Sequence, residues 1–195
     1  AAGDDLPALA FAFDLGATRE RVSRRITVAY DDEYSIVYMG QWLRPYWRRG
    51  GMDALELLEA SEREYETLAG RCARFDKELV DDLTRMGGPK YARLCSLAYR
   101  QAQAANKVVA DANGSPLMFP KENFSNGCIG TVDVIYPMIP QFLLLSPTLA
   151  KASIAPVLDY AASARWRFPF APHDLGRYPH ANGQVYGGGE ETEDR

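Results

Sequence analysis

The chain has 195 residues, 47% of them hydrophobic, which is enough to bury the core of one large domain. Its formal net charge of -4 argues against a nucleic-acid partner, because a face that binds nucleic acid needs clustered lysine and arginine. No apolar run approaches the roughly 20 residues of a membrane-spanning helix, so no membrane span is predicted.

The first part of the chain has the alternating pattern of β-strands. Strands are predicted at residues 8–13, 25–30 and 34–39, with a turn at 31–33 between the last two. The β-like part ends at 43–47 and is followed by a breaker, Arg48-Arg49-Gly50-Gly51. Because one or two hairpins are not stable alone, these strands must pack on helices or belong to a larger β-domain.

Residues 52–86 predict one long helix or two closely joined helices, since apolar residues recur at spacings of three, four and seven. Gly87-Gly88-Pro89 ends this segment, and a second helix is predicted over about 89–111. Cys72 and Cys95 fall within these helical patterns and are expected to be buried free thiols.

The second half of the chain alternates irregular segments with helices. Residues 117–134 are expected to be irregular, and Pro137 and Pro140 are both placed in the first turn of a helix that ends near Leu145. Ser146-Pro147 predicts the start of a helix that runs to about residue 165, with a kink at Pro156. Residues 169–191 then predict a long ordered loop that holds both histidines, followed by an acidic tail.

This order predicts a mainly α fold, in which helical hairpins of an incomplete α/α toroid are preceded by a few β-strands. A closed toroid needs more than the four or so helices predicted here, so we expect the chain to be a piece of a larger protein. Both long connections should meet at the same rim of the ring, where they would form the wall of a site.

Candidate chemistry lies in these two connections. Asp133, placed in an extended stretch before the proline-rich helix, and Glu190 could act as general acid and base across a cleft, or could position water for amide hydrolysis. Asp133 could equally cap the following helix, and Glu190 could belong to a solvated tail. Residues that could bind the charged ends of an amino acid or the hydroxyls of a sugar, or could instead brace the loops, are Lys121, Glu122, Asn123, His173, Asp174, His180, Asn182 and Gln184.

No cofactor and no metal site are predicted. His173 and His180 are seven residues apart in a loop, which is not a standard ligand spacing, and the three cysteines are too far apart for a zinc site. Gly187-Gly188-Gly189 lacks the strand-then-helix context of a phosphate-binding loop. The sequence contains neither Ser-x-x-Lys nor Gly-x-Ser-x-Gly, two motifs of hydrolases that use a serine nucleophile.

Several long motifs resemble the glutaminase A family. They are Tyr30-Asp31-Asp32, Leu43-Arg44-Pro45-Tyr46-Trp47, Lys121 to Cys128, Thr131 to Pro137 and the whole of 169–190. Members of this family have a β-rich N-terminal region and a domain of six helical hairpins. The resemblance implies that residues 1–40 end the β-rich region or form its junction, and that 41–195 begin the hairpin domain, which is incomplete here.

The family name implies hydrolysis of L-glutamine to L-glutamate and ammonia. The toroid is also similar to that of inverting glycosidases, so a carbohydrate-active hydrolase with paired carboxylates is the alternative, and an inactive scaffold or binding piece is the third hypothesis. The expected partners are a small-molecule substrate, an amino acid or a sugar, and the remaining domains of the same polypeptide. The expected location is secreted, periplasmic or at the cell surface, although no signal peptide stands at the first residues.

Overall fold

The structure, a computed structural model, describes residues 10–186, which divide into two compact units after Tyr30. In the first unit no helix or strand forms within residues 10–30. The strand predicted at 25–30 is therefore wrong, as is the described part of the strand predicted at 8–13. Val28 is 90% exposed, so the alternating side chains have no partner face on which a strand could be stabilised.

The second unit begins with a short β-hairpin, which agrees with the strand predicted at 34–39. Strand β1 (Ile36–Tyr38) pairs antiparallel with β2 (Gln41–Leu43). Met39 and Gly40 both have positive φ, 50° and 81°, as a two-residue turn between twisted strands requires. A 3-10 helix at Tyr46–Gly50 follows and leads the chain to the first long helix.

Helix α1 (Ala54–Ala104) is a helical hairpin, because its backbone is not helical at Gly88, where φ is 80°. The rings of Phe75 and Tyr99 lie 5.7 Å apart, whereas a straight helix would separate these residues by about 36 Å. The chain therefore reverses at Gly87-Gly88, and the predicted order of helix, short turn and helix is confirmed. Asp53 begins the hairpin with a capping box, in which its side chain accepts from the Glu56 N–H at 2.9 Å.

Residues 106–120 form a β-hairpin, so two predictions for this segment are wrong. The second arm of α1 ends at Ala104 rather than near 111, and the last part of the predicted helix is strand β3 (Asn106–Ala110). It pairs antiparallel with β4 (Pro116–Pro120), most of which lies where irregular chain was expected. The β-branched Val108 and Val109 favour a strand, and Asp111 closes the turn by accepting two backbone N–H bonds at 2.8 Å.

Two helices follow, α2 (Val132–Leu145) and α3 (Pro147–Ala162). The start of α3 at Ser146-Pro147 agrees with the prediction. Pro137 and Pro140, however, lie inside α2 and not in its first turn, because α2 begins earlier, where the Val132 N–H donates to the His173 carbonyl at 2.8 Å. A tertiary contact thus sets the start of this helix, and local proline preference does not.

A five-stranded sheet with the order β2-β1-β7-β6-β5 joins the two long connections. Its remaining strands are β5 (Cys128–Ile129), β6 (Gly176–Arg177) and β7 (His180–Ala181). Strand β7 pairs parallel with β1, and β6 pairs antiparallel with both β5 and β7. The core beside the sheet includes Ile36, Val109, Phe119, Ile129, Phe142, Tyr160 and Leu175.

Parts of α1 and α2 keep apolar faces exposed. Leu94 is 67% exposed and Leu144 is 81% exposed. Cys72 lies on such a face and is exposed, while Cys95 is half-buried, so the prediction that both thiols are buried is wrong. No helix within residues 10–186 is long and apolar enough to cross a membrane.

Candidate functional site

The two long connections meet along strands β5 and β6. The Ile129 carbonyl accepts from the Leu175 N–H at 2.9 Å, and the Gly127 carbonyl accepts from the Tyr178 N–H at 3.0 Å. Together with the bond from Val132 to His173, these contacts bring the first turn of α2 against the second connection. Asp133 lies in that first turn, not in an extended stretch as expected, and its carboxylate is 3.9 Å from His173 Nε2.

Asp174 is fully buried and receives hydrogen bonds from four N–H groups. Its Oδ1 accepts from the backbone of Gly176 at 2.8 Å and Val185 at 3.0 Å, and its Oδ2 accepts from Tyr186 at 3.1 Å. The fourth partner is the His173 ring, with Nδ1 2.9 Å from Asp174 Oδ2. An oxygen that already accepts backbone N–H groups leaves Nδ1 to act as the donor, so the lone pair of the neutral ring is on Nε2.

Three further contacts hold His173 in place. Its backbone N–H donates to Gln184 Oε1 at 2.7 Å, and its ring stacks on Tyr186 with centroids 4.2 Å apart. The side chain is only 6% exposed. His173 is therefore a fixed imidazole, and its Nε2, which makes no hydrogen bond with any residue of 10–186, faces Asp133.

Glu122 completes a group of three. An oxygen of Glu122, an oxygen of Asp133 and a ring nitrogen of His173 all lie within 4.8 Å of one another. We call these residues the carboxylate–imidazole cluster. The Asp133 side chain is 68% exposed and Glu122 is half-buried, with the Ser125 hydroxyl donating to the Glu122 carboxylate. The cluster thus has one fixed, buried member and two members that solvent reaches.

Cys128 lies behind the cluster, within 4.8 Å of His173 and Asp174, and could complete a second group of metal-binding type. Burial raises the pKa of the Cys128 thiol to about 12, and the negative charges of Asp174 and Glu122 act in the same direction. A thiol that stays protonated is neither an effective nucleophile nor a good metal ligand.

The other predicted residues occupy different places. The Lys121 ammonium lies over the Tyr178 ring, 4.9 Å from its centroid, and Asn123 is exposed in the loop after β4. His180 and Asn182 line a separate pocket of about 440 Å³ and are not part of the cluster. Gln184 is buried and braces the His173 backbone. Glu190 lies outside the described residues.

Sequence reasoning missed several residues around these sites. Arg165 and Arg177 line the pocket beside His180, and the Tyr160 hydroxyl accepts from the Gln184 N–H at 3.2 Å. Arg177 lies inside the loop already singled out, so its charge was a usable signal. Tyr160 belongs to a helix that reads as ordinary core, and nothing in the local pattern indicates its contact with the loop.

Comparison with known proteins shows the family of the chain. The model of the glutaminase A six helical-hairpin domain matches residues 88–193, which is more than half of the chain. The chain belongs to the glutaminase A six helical-hairpin family. A domain of unknown function, DUF5127, matches residues 1–82. The proposed division at residue 40 stays a prediction, whereas the α-rich hairpin fold with strands is confirmed.

Two curated members of this group match the chain. Glutaminase A of Aspergillus oryzae is 29% identical over 190 residues, which cover 94% of this chain and 27% of that protein. A protein of Arthroderma benhamiae named probable glutaminase is 28% identical over 146 residues, which cover 74% of this chain and 17% of that protein. The chain thus spans about a quarter or less of the length of these relatives. No solved structure matches it significantly.

Proposed function

We propose that the chain carries part of the active site of a glutaminase-like hydrolase, which converts L-glutamine to L-glutamate and ammonia. Family membership and the names of the two relatives support this class of reaction. The structural observation that carries the proposal is the carboxylate–imidazole cluster, in which a fixed His173 faces two carboxylates.

The cluster suits a mechanism in which water is the nucleophile. Atoms 3.9 Å apart, as Asp133 Oδ2 and His173 Nε2 are, can both bond to one water at about 2.8 Å. A carboxylate of the cluster takes a proton from that water as its oxygen attacks the side-chain carbonyl carbon of glutamine. The carbon–nitrogen bond then breaks, and the leaving nitrogen departs as ammonia with the transferred proton.

Neighbouring side chains suit the charged end of the substrate. The Lys121 ammonium, held over the Tyr178 ring, can pair with the α-carboxylate of an amino acid. The exposed Asn123 offers an amide for further hydrogen bonds. Both belong to the rim on which the cluster lies.

The same proposal includes further helical hairpins of one polypeptide. The exposed apolar faces of α1 and α2 are of the kind that neighbouring helices cover. The matched stretch equals only 27% of the Aspergillus relative, which leaves room for further hairpins in a polypeptide of that length. In this proposal the missing hairpins complete the toroid around the rim, in a protein that is secreted, periplasmic or at the cell surface.

A glycoside hydrolase remains the second candidate. Oxygens of Glu122 and Asp133 lie within 4.8 Å, which is nearer to the roughly 5 Å between the carboxyl groups of retaining glycosidases than to the roughly 6.5 to 9.5 Å of the inverting enzymes that the toroid resembles. Tyr178 and Tyr186 expose parts of their rings, on which a sugar could stack. The candidate carboxylate pair is therefore Asp133 with Glu122, where the sequence predicted Asp133 with Glu190.

A substrate panel separates the two candidates. The polypeptide that carries this chain with its further hairpins is incubated with L-glutamine, with L-asparagine and with a set of aryl glycosides. We expect ammonia from glutamine and no phenol from the glycosides. Phenol release without ammonia would select the glycosidase. If neither ammonia nor phenol is released, the scaffold hypothesis is favoured.

A further inference from the structure

We propose that Glu122, Asp133 and His173 bind a divalent transition-metal cation of the Zn²⁺ type. The site consists of one oxygen from each carboxylate and Nε2 of the imidazole. Zinc takes carboxylate oxygen and imidazole nitrogen in catalytic sites, which hold three protein ligands and leave one position for water.

The first argument is electrostatic. With Nδ1–H donating to Asp174, His173 presents the lone pair of Nε2 to the Asp133 carboxylate, and a Glu122 oxygen lies within 4.8 Å of the Asp133 oxygen and the ring. Lone pair and carboxylate oxygens repel one another, and no hydrogen bond to Nε2 forms within residues 10–186. A cation between the three atoms turns this repulsion into attraction, and its two positive charges balance the two carboxylates.

The second argument is that the His173 side chain is buried and directs its Nε2 toward Asp133. The His173 side chain is 6% exposed, and its Nε2, to which no group within residues 10–186 donates, lies 3.9 Å from Asp133 Oδ2. In contrast, the carboxylates are reached by solvent, which leaves a path for a cation and for the water it would hold.

The third argument is geometric. Ligands bound at about 2.1 Å in a tetrahedral zinc site lie about 3.4 Å apart. The 3.9 Å from Asp133 to His173 is therefore within about half an ångström of that spacing. To reach that spacing, the exposed Asp133 and the half-buried Glu122 side chains would move, while the buried imidazole stays in place.

Asp174 supplies the outer support that such a site needs. A histidine that binds a metal through one ring nitrogen usually donates its other N–H to a carboxylate or carbonyl, which fixes the ring. Here the Asp174 carboxylate accepts from Nδ1 at 2.9 Å and is itself fixed by three backbone N–H groups. Cation binding does not depend on the proposed function; only the cation's role rests on it, which is to occupy the position between Asp133 and His173 and to hold the attacking water in place of their direct hydrogen bonds.

The test is a calorimetric titration of the chelator-treated full chain with Zn²⁺ and, separately, with Ca²⁺. We expect one equivalent of Zn²⁺ to bind more tightly than Ca²⁺. Glu122→Gln and Asp133→Asn should each weaken Zn²⁺ binding by roughly tenfold or more. Asp159→Asn, which changes an exposed carboxylate on α3, is the matched control and should bind as the unaltered chain does.

A second measurement needs no substitution. The chain has only two histidines, so the ring-nitrogen NMR spectrum separates His173 from His180. Zn²⁺ should change the His173 Nε2 signal and leave His180 unchanged. The proposal is overturned if Zn²⁺ does not bind saturably, if neither carboxylate variant weakens its binding, or if His180 alone responds.

The two proposals can fail separately. Zn²⁺ binding at His173 in a polypeptide that releases no ammonia from glutamine would remove the glutaminase proposal and leave the cation site. Ammonia release at an unchanged rate by protein stripped of cations would remove the cation's role in hydrolysis.

Discussion

Asp174→Asn is expected to lower the free energy of unfolding by about 3 kcal/mol, because hydrogen bonds to a buried charged group are worth roughly 1.5 to 3 kcal/mol each. Asparagine has one oxygen and an NH₂ group where Asp174 has two accepting oxygens. The NH₂ group would face N–H donors of the Gly176, Val185 and Tyr186 backbone or of the His173 ring. At least one buried donor therefore loses its partner.

Urea denaturation followed by circular dichroism measures this change. Asp81→Asn is the control, since Asp81 is exposed on α1 and pairs only with Lys77 among its described neighbours. The control should change the free energy by no more than about 0.5 kcal/mol. An Asp174→Asn protein that matches the control would show that Asp174 does not organise the second connection.

Gly176→Ala should be equally damaging, for a steric reason. A Cβ at this position would lie 2.1 Å from the His180 carbonyl oxygen, which belongs to backbone and cannot rotate away. The φ of Gly176 is also +140°, where side-chain-bearing residues are strained. Strain and overpacking each cost about 1 to 3 kcal/mol, so we expect a loss of roughly 3 kcal/mol and an opened β6–β7 pair.

Gly114→Ala separates the cost of the backbone conformation from the cost of the steric clash. Gly114 has a positive φ of 78°, but a Cβ there meets nothing within 4 Å. This variant should lose only about 1 kcal/mol, the cost of the backbone conformation. The same urea denaturation measures both variants. Equal losses of unfolding free energy in Gly176→Ala and Gly114→Ala would contradict the close approach of β6 and β7.

Elements set by local chemistry could be predicted from the sequence. The reversal at Gly87-Gly88 and the start of α3 at Ser146-Pro147 depend on residues next to one another, and both were predicted. Strands β3 and β4 were missed because the alanine-rich run before them extends a helical pattern past Ala104. Pairing with a strand ten residues further on overrides that local preference.

The site was predictable in outline only. The order of hairpins and loops predicted that Asp133 and His173 share a rim, and they lie 3.9 Å apart. The acceptor role of Asp174 was not predictable, because it uses backbone groups eleven and twelve residues away. Glu122 was named as a binding residue, but its approach to Asp133 depends on closure of the loop before β5, in which the Glu122 N–H donates to the Cys128 carbonyl at 2.9 Å.

The turnover of L-glutamine by an Asp133→Asn form of the polypeptide tests the central proposal most directly. Removing a group that handles the proton of the attacking water should lower kcat by about a hundredfold or more, while Asp159→Asn should leave kcat unchanged. Circular dichroism of both variants establishes that the fold is intact. An Asp133→Asn enzyme that releases ammonia at the unaltered rate would contradict the assignment of the carboxylate–imidazole cluster as the catalytic centre.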